Sequence, residues 1–340
     1  MTKTSRTARP SRRAGGGNVL LRRLSGFACL TVLLGGCAVI VREAKEDLIR
    51  VHAANSTAEI AITLDPAFIE AYKNRVTIDV DLTVDRADKR PHPAVFDGDF
   101  HLAGSAPGIR LPAVAEIQNA AGEKEASDVV RRAEGSGRSL KVAGAWRIWS
   151  EHVGKAKEIQ GDDFPSTMST NPDHVFEIHP LIRVAGIDLL ESLRPVDGYR
   201  PGSADLIFRT LEKIPCRIVP GRTTTVVTPS KQFNDAEFLL EVGRDRQQVV
   251  PDGRFVNAAA LDLKGNLLVP KLRMAFVKGS PPERIVRSLP PGSRLHVFGL
   301  PRIDLAEIAS RTARSDRRPD LLTGNLPYEM VIVGVYEDRN

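Results

Sequence analysis

Val76, Ile78, Val80, Leu82 and Val84 alternate with Thr77, Asp79, Asp81 and Thr83. A strict period of two predicts a strand with one apolar and one wet face. Further strands are expected over 96–104, 112–117, 140–149 and 174–184, with a charged helix over 123–134 whose apolar spots are Val129, Val130 and Ala133. Ahead of them, Asp65-Pro66 reads as an N-cap followed by proline at the first helical position, opening a short helix that runs to residue 74. The second half follows the same plan, with strands over 236–242, 254–263, 267–277, 294–300 and 328–336. A short helix over 282–288 follows its third strand, another over 304–314 sits in its last connection, and Lys264-Gly265-Asn266 supplies a hairpin turn.

Strand, strand, strand, helix, strand, strand is the element order of the OB-fold, a small five-stranded barrel. The expected fold class is mainly β with short helices, arranged as two tandem OB-fold-like five-stranded barrels. The expected domains are 65–193 and 205–340, joined by a linker over 194–204 rich in proline, glycine and arginine. The repetition is of architecture only, with no residue-level repeat standing out between the halves.

Charge changes the picture at the amino terminus. A basic region carrying Lys3, Arg6, Arg9, Arg12, Arg13, Arg22 and Arg23 precedes an apolar run over 24–34 and then Leu34-Gly35-Gly36-Cys37, the three parts of a secretory signal. That quartet resembles the lipobox of bacterial lipoproteins. The resemblance implies a diacylglyceryl group on Cys37, cleavage of residues 1–36, and an acylated new terminus, with 37–64 as anchor and tether. Two or three acyl chains hold firmly, because each buried methylene contributes about 0.8 kcal/mol. The alternative is an uncleaved signal anchor continuing through Ala38-Val39-Ile40-Val41, a barely sufficient span that leaves the Gly-Gly-Cys placement without a purpose. In a diderm host, Ala38 after the lipidated cysteine implies the outer membrane, facing the periplasm.

Cleavage would remove seven basic residues and no acidic ones, taking the formal charge from +6 to −1. The surplus of Lys and Arg that nonspecific nucleic-acid binding requires therefore belongs to the leader. Aromatic residues make up only 5% of the chain, which also argues against base-stacking platforms. Cys29 would leave with the leader, so Cys216 is the one remaining free thiol and reads as a small buried hydrophobe.

The first half carries an unusual density of ionisable residues on strands. Alternation puts Asp97, Asp99 and His101 on the face opposite Phe100 and Leu102, and Glu177 and His179 opposite Phe176 and Ile178. Apolar side chains fill the barrel, so these groups are expected on its outside, joined by Glu116 and by His152 just past the fourth strand. His92 and His296 look isolated. Trp146 and Trp149, three apart on one strand, are expected to face opposite sides, one of them core.

Asp97-x-Asp99-x-His101-Leu102, Ala115-Glu116-Ile117, a Val-x-Gly-x-Trp strand over 142–146 and Glu177-Ile178-His179-Pro180 are similar to a pattern in small, mostly uncharacterised exported bacterial proteins. The resemblance covers residues 76–184 and implies a shared barrel, with no reaction to carry over. No Gly-x-Ser-x-Gly elbow, Walker loop, His-Glu-x-x-His or dinucleotide fingerprint is present.

Two functions follow. The leading one is a noncatalytic lipoprotein without a cofactor, held to the membrane by its lipid and binding an envelope protein, glycan or small ligand, in which the polar cluster is structural. Its rival is a metal-assisted hydrolase of phosphoester type, with Asp97, Asp99, His101, Glu177 and His179 holding a divalent metal and Glu116 or His152 as base. They differ geometrically, because a metal needs at least three of these side chains around one point, about 2.0 to 2.2 Å from the ion.

Overall fold

A computed structural model of the chain describes residues 59–154, 157–230 and 233–337. The leader, Cys37 and residues 37–58 of the expected tether lie outside the described residues. The strand expected at Val76 is β1 (Thr77–Ala87), with Ile78, Leu82 and Val84 buried and Asp79 and Asp81 exposed. It is followed by β2 (Phe100–Ser105), β3 (Ala113–Ile117), α1 (Lys124–Ala133), β4 (Ser139–Ile148) and β5 (Phe176–Val184). β1 pairs antiparallel with β2 and β4, β2 with β3, and β4 with β5, while β3 closes the ring on β5 in parallel. This is the strand order of an OB barrel. Helix α1 lays Ala126, Val130 and Ala133 on its core.

The second barrel is built from β6 (Ala236–Val242), β7 (Gly253–Leu261), β8 (Leu267–Val277), α2 (Pro281–Val286), β9 (Arg294–Ile303), α3 (Leu305–Arg314) and β10 (Tyr328–Val335). β6 pairs with β7 and β9, β7 with β8, and β9 with β10, and β8 closes on β10 in parallel. The fold is therefore mainly β, with two closed five-stranded OB-like barrels. Lys264-Gly265-Asn266 turns between β7 and β8 as expected, with Gly265 at φ +86° and Asp262 Oδ1 accepting from the Lys264 and Asn266 amides.

A third sheet, not foreseen, draws short strands from both halves in the order Thr323–Asn325, Pro215–Val219, Thr224–Pro229, Glu59–Leu64 and Lys157–Ile159. Residues 59–64 of the expected tether are thus a paired strand, with Ile60, Ile62 and Leu64 facing the core. Cys216 lies buried in the same sheet, and burial pushes its thiol up to about 11, in keeping with an inert hydrophobe.

A residue-level repeat, invisible in the sequence alone, emerges at the seam between the barrels. Gly144-Ala145-Trp146-Arg147-Ile148 on β4 and Gly299-Leu300-Pro301-Arg302-Ile303 on β9 hold equivalent positions, and each glycine sits at a register shift. A Cβ on Gly144 would come within 2.5 Å of Pro180 O, so the close approach of β4 to β5 excludes larger residues there. Arg147 faces Glu177 across β4 and β5, and Arg302 faces Glu329 across β9 and β10. The two arginines then cross over: Arg147 Nε donates to Pro301 O at 2.9 Å, and Arg302 Nη1 donates to Trp146 O at 2.8 Å. Beside them Val76 and Ala145 of the first barrel pack in one apolar cluster with Phe255, Phe298, Leu300 and Val331 of the second. Trp146 and Trp149 are both buried, because Trp149 lies past the end of β4 and its indole N–H donates to Phe233 O at 2.9 Å.

Asp65 caps the short helix Pro66–Tyr72 as expected, its Oδ1 accepting from the Ala67 amide at 2.9 Å. Asp65→Ala should lower stability by about 1 kcal/mol. An unchanged urea midpoint would show the cap to be redundant.

Candidate functional site

The polar face of the first barrel is assembled as alternation predicts, but it does not meet water. Asp99, His101, Glu116, Glu177 and His179 are all buried, while Phe100, Leu102, Phe176 and Ile178 point into the core. The expectation of an exposed outer face is corrected by what lies on it. β9 of the second barrel crosses β4, and Asn234 O accepts from Arg147. The expected linker adds Val196, whose Cγ1 lies 2.7 Å from the position of a Cβ on Gly98, and Arg194 O, which accepts from Gln118 and Asn119.

At the centre, Asp99 precedes β2, Glu116 lies on β3 and His179 on β5, three neighbouring elements of the barrel wall. His179 Nε2 is 3.4 Å from Asp99 Oδ2, and its Nδ1 is 3.1 Å from Glu116 Oε2 and 3.7 Å from Glu177 Oε2. His101 Nε2 is 3.5 Å from Glu116 Oε2. The 3.1 Å contact is an ion-pair approach without hydrogen-bond alignment, and Asp99 Oδ1 has no hydrogen-bond partner among the described residues.

Two wings extend from this centre. On one side Glu177 takes hydrogen bonds from Arg147 and from His174, the latter at 3.2 Å, and Arg147 Nη2 also reaches Glu151 Oε2 at 3.1 Å. His152 joins here, 3.5 Å from Glu151 and stacked on His174. On the other side Asp97 sits at the rim and pairs with His92 Nδ1 at 2.9 Å, while His92 Nε2 reaches Asp88 at 3.3 Å and its ring meets that of His101 edge-on. The five side chains expected as ligands therefore do not all meet at one point. Four of them divide among three sets whose donor atoms lie within 4.8 Å of one another, namely Asp88, His92 and His101, then Asp99, Glu116 and His179, then Glu151, His152 and Glu177, and Asp97 belongs to none of these.

Sequence reasoning missed Asp88, His92, Arg147, Glu151 and His174. Alternation along β4 could have found Arg147, which falls on the face opposite Trp146 and Ile148. His296, also read as isolated, pairs with Glu237 at 2.8 Å and stacks on Tyr336, away from this site.

Burial opposes every charge in the cluster, and the partners decide the outcome. Desolvation raises Asp99 to about 6 despite His179. Glu116 goes the other way, to about 2, because His179 and His101 outweigh its burial. Burial pulls His101 and His179 down, but Glu116 and neighbouring carboxylates override it, setting His101 at about 9 and His179 well above its usual range. Arg147 and His174 likewise hold Glu177 well below the ordinary carboxylate range against desolvation. Burial raises Glu151 to about 7, and burial together with His174 lowers His152 to about 4.

The fold and this seam define a double OB-barrel protein with a polar cluster enclosed between its barrels. No protein-family model matches the sequence, and no curated protein matches it. Among solved structures, the wild-type single-stranded DNA binding protein from Thermus aquaticus is similar at 11% identity and a TM-score of 0.21, over 78% of this chain and 93% of that one. A murine DNA binding protein bound with double-stranded DNA is similar at 10% identity and a TM-score of 0.18, over 76% of this chain and 98% of that one. Likenesses this low carry nothing about what the present chain binds.

Proposed function

We propose that this protein is a noncatalytic module of the cell envelope, anchored through a lipid on Cys37, that binds an envelope protein, glycan or small ligand on a barrel face. The observation that supports it most is the enclosure of the acid–base groups. Glu116, Glu177 and His179 are each 3% exposed, and Glu177 is hydrogen-bonded by Arg147 and His174, so these groups are not presented to a substrate in solution. An open groove of about 400 Å³ lies instead on the second barrel, lined by Glu241, Arg244, Asp245, Asn257 and Lys271. It runs across β6, β7, β8 and the turn after β6, the region that OB-folds use for ligands. Two ion pairs line it, Glu241 with Arg294 and Asp245 with Lys271, each at 2.7 Å, and Arg244 adds one positive charge, short of the basic surplus that a polyanion needs.

Two assays test this reading. Metabolic labelling with an alkyne fatty acid should mark the wild-type protein and not Cys37→Ala, which should accumulate as precursor. A wild-type protein that takes no label and keeps its first 36 residues ends the anchored reading. The purified full chain should not hydrolyse phosphomonoesters or phosphodiesters with zinc or manganese added. Metal-dependent turnover abolished by Glu116→Gln would put the hydrolase in its place.

A further inference from the structure

We propose that Asp99, Glu116 and His179 hold one divalent transition-metal ion, which ties the loop before β2 to β3 and β5. The first support is placement. β3 pairs with both β2 and β5, so the three donors come from adjacent segments of one barrel wall and cannot drift apart while it is folded. Their donor atoms all lie within 4.8 Å of one another, with His179 Nε2 3.4 Å from Asp99 Oδ2. Ligands at about 2.0 to 2.1 Å from a tetrahedral ion stand about 3.3 to 3.5 Å apart, a spacing that His179 and Asp99 already have and into which Glu116 has to close from within 4.8 Å.

The second support is independent of proximity. Asp99 is 5% exposed, yet its Oδ1 has no hydrogen-bond partner among the described residues, and His179 Nδ1, on a side chain 3% exposed, meets Glu116 at 3.1 Å out of hydrogen-bond alignment. Buried polar atoms in native proteins are almost always satisfied, and the exceptions call for a reason. Elsewhere in the cluster the structure supplies one, because Glu177 has Arg147 and His174 and Glu151 has Arg147. Among the described residues, the ion-pair partners of Asp99 and Glu116 are histidines, with no arginine or lysine.

Charge and outer contacts fit the same ion. A dication balances the Asp99 and Glu116 carboxylates with His179 neutral. His101 stands 3.5 Å from Glu116 Oε2, in the place of a group that orients a ligating carboxylate. With His179 Nε2 on the ion beside Asp99, Nδ1 keeps Glu177 at 3.7 Å as its outer partner, and Glu116, now 3.1 Å from Nδ1, swings toward the ion. Imidazole with carboxylate suits zinc, manganese or iron better than calcium or magnesium. Enclosure makes the ion structural, and His92 and Asp97, each about a third exposed, mark its route in from the rim.

The test strips the full chain in detergent with EDTA, reloads it by dialysis against zinc, and measures zinc content and Tm. About one zinc per chain should survive gel filtration, and reloading should raise Tm. Asp99→Asn and His179→Gln should keep the native circular dichroism spectrum and lose the zinc, while His92→Ala keeps it. X-ray absorption of the loaded native protein, which needs no variant to fold, should show one imidazole and otherwise oxygen donors. Retention of no zinc, with Tm indifferent to EDTA and zinc, would show that protons alone hold the cluster and overturn the proposal. Two imidazoles in the first shell, or zinc lost in His92→Ala and kept in Asp99→Asn, would assign the metal to Asp88, His92 and His101 and equally overturn it. None of these outcomes bears on ligand binding at the groove, so the proposed function stands or falls separately.

Discussion

Arg302→Met should destabilise the protein by about 3 to 5 kcal/mol, among the largest single-residue effects in the chain. Arg302 is fully buried and distributes its donors over both barrels: Nε to Glu329 at 2.7 Å, Nη1 to Val76 O and Trp146 O, and Nη2 to Arg75 O. Its guanidinium also lies 3.7 Å over the Trp146 ring. Methionine keeps the apolar stem and removes every donor, so that the Val76 and Trp146 carbonyls lose this bond, Arg75 O keeps only the Trp146 indole at 2.7 Å, and Glu329 is left with Arg273 alone at 2.8 Å. Because these bonds span the seam, the variant should unfold in two steps if the apolar patch cannot couple the barrels without them. Adding Glu329→Gln should recover part of the loss, since the buried carboxylate would no longer be charged. Urea denaturation checks both changes, and a cost below about 1 kcal/mol would mean that the apolar patch carries the seam by itself.

Between pH 4.5 and 8, Glu151→Gln should gain about 3 kcal/mol relative to the wild type. Burial raises Glu151 to about 7 in the folded protein, from an ordinary value of 4.5. A raised carboxyl contributes stability that is whole below pH 4.5, where both states hold the proton, and that is lost as pH rises through 7. His152 acts in the opposite direction. Burial lowers it to about 4, so the protein loses stability from this group as pH falls from 6.5 through 4. The two trends oppose each other in the wild type, and the difference between variant and wild type reads Glu151 together with any change it imposes on His152, 3.5 Å away. Arg147 competes for the outcome, but its Nη1 is engaged by Glu177 and only Nη2 reaches Glu151. Urea midpoints of both proteins across this range measure the effect, and a difference that does not move with pH would show Glu151 ionised throughout, with Arg147 overcoming its burial.

Much of the fold is legible in local pattern. The period of two from Val76 to Val84 marks β1 because each side chain's face depends only on its neighbours along the strand. The same rule sorts Asp99 and His101 from Phe100 and Leu102, and Glu177 and His179 from Phe176 and Ile178. Asp65-Pro66 marks a helix start because a cap is made within three residues. Strands such as Thr323–Asn325 and Lys157–Ile159 are three residues long, too short to show a period, and they exist as strands because a remote partner pairs with them.

What the sequence by itself determined is therefore the order of elements within each barrel, the two barrels they close into, and which side chains turn away from each core. Whether the outward side chains meet water was decided only in three dimensions. Arg147 reaches Pro301 O across 154 residues, and that contact converts the outer face of the first barrel into an interior. The same crossing reveals Gly-x-x-Arg-Ile as a repeat, because the two arginines are recognisable as equivalents only once each is seen donating to the other barrel. Alternation tells a residue which way to face, and desolvation depends on what arrives there from elsewhere in the chain.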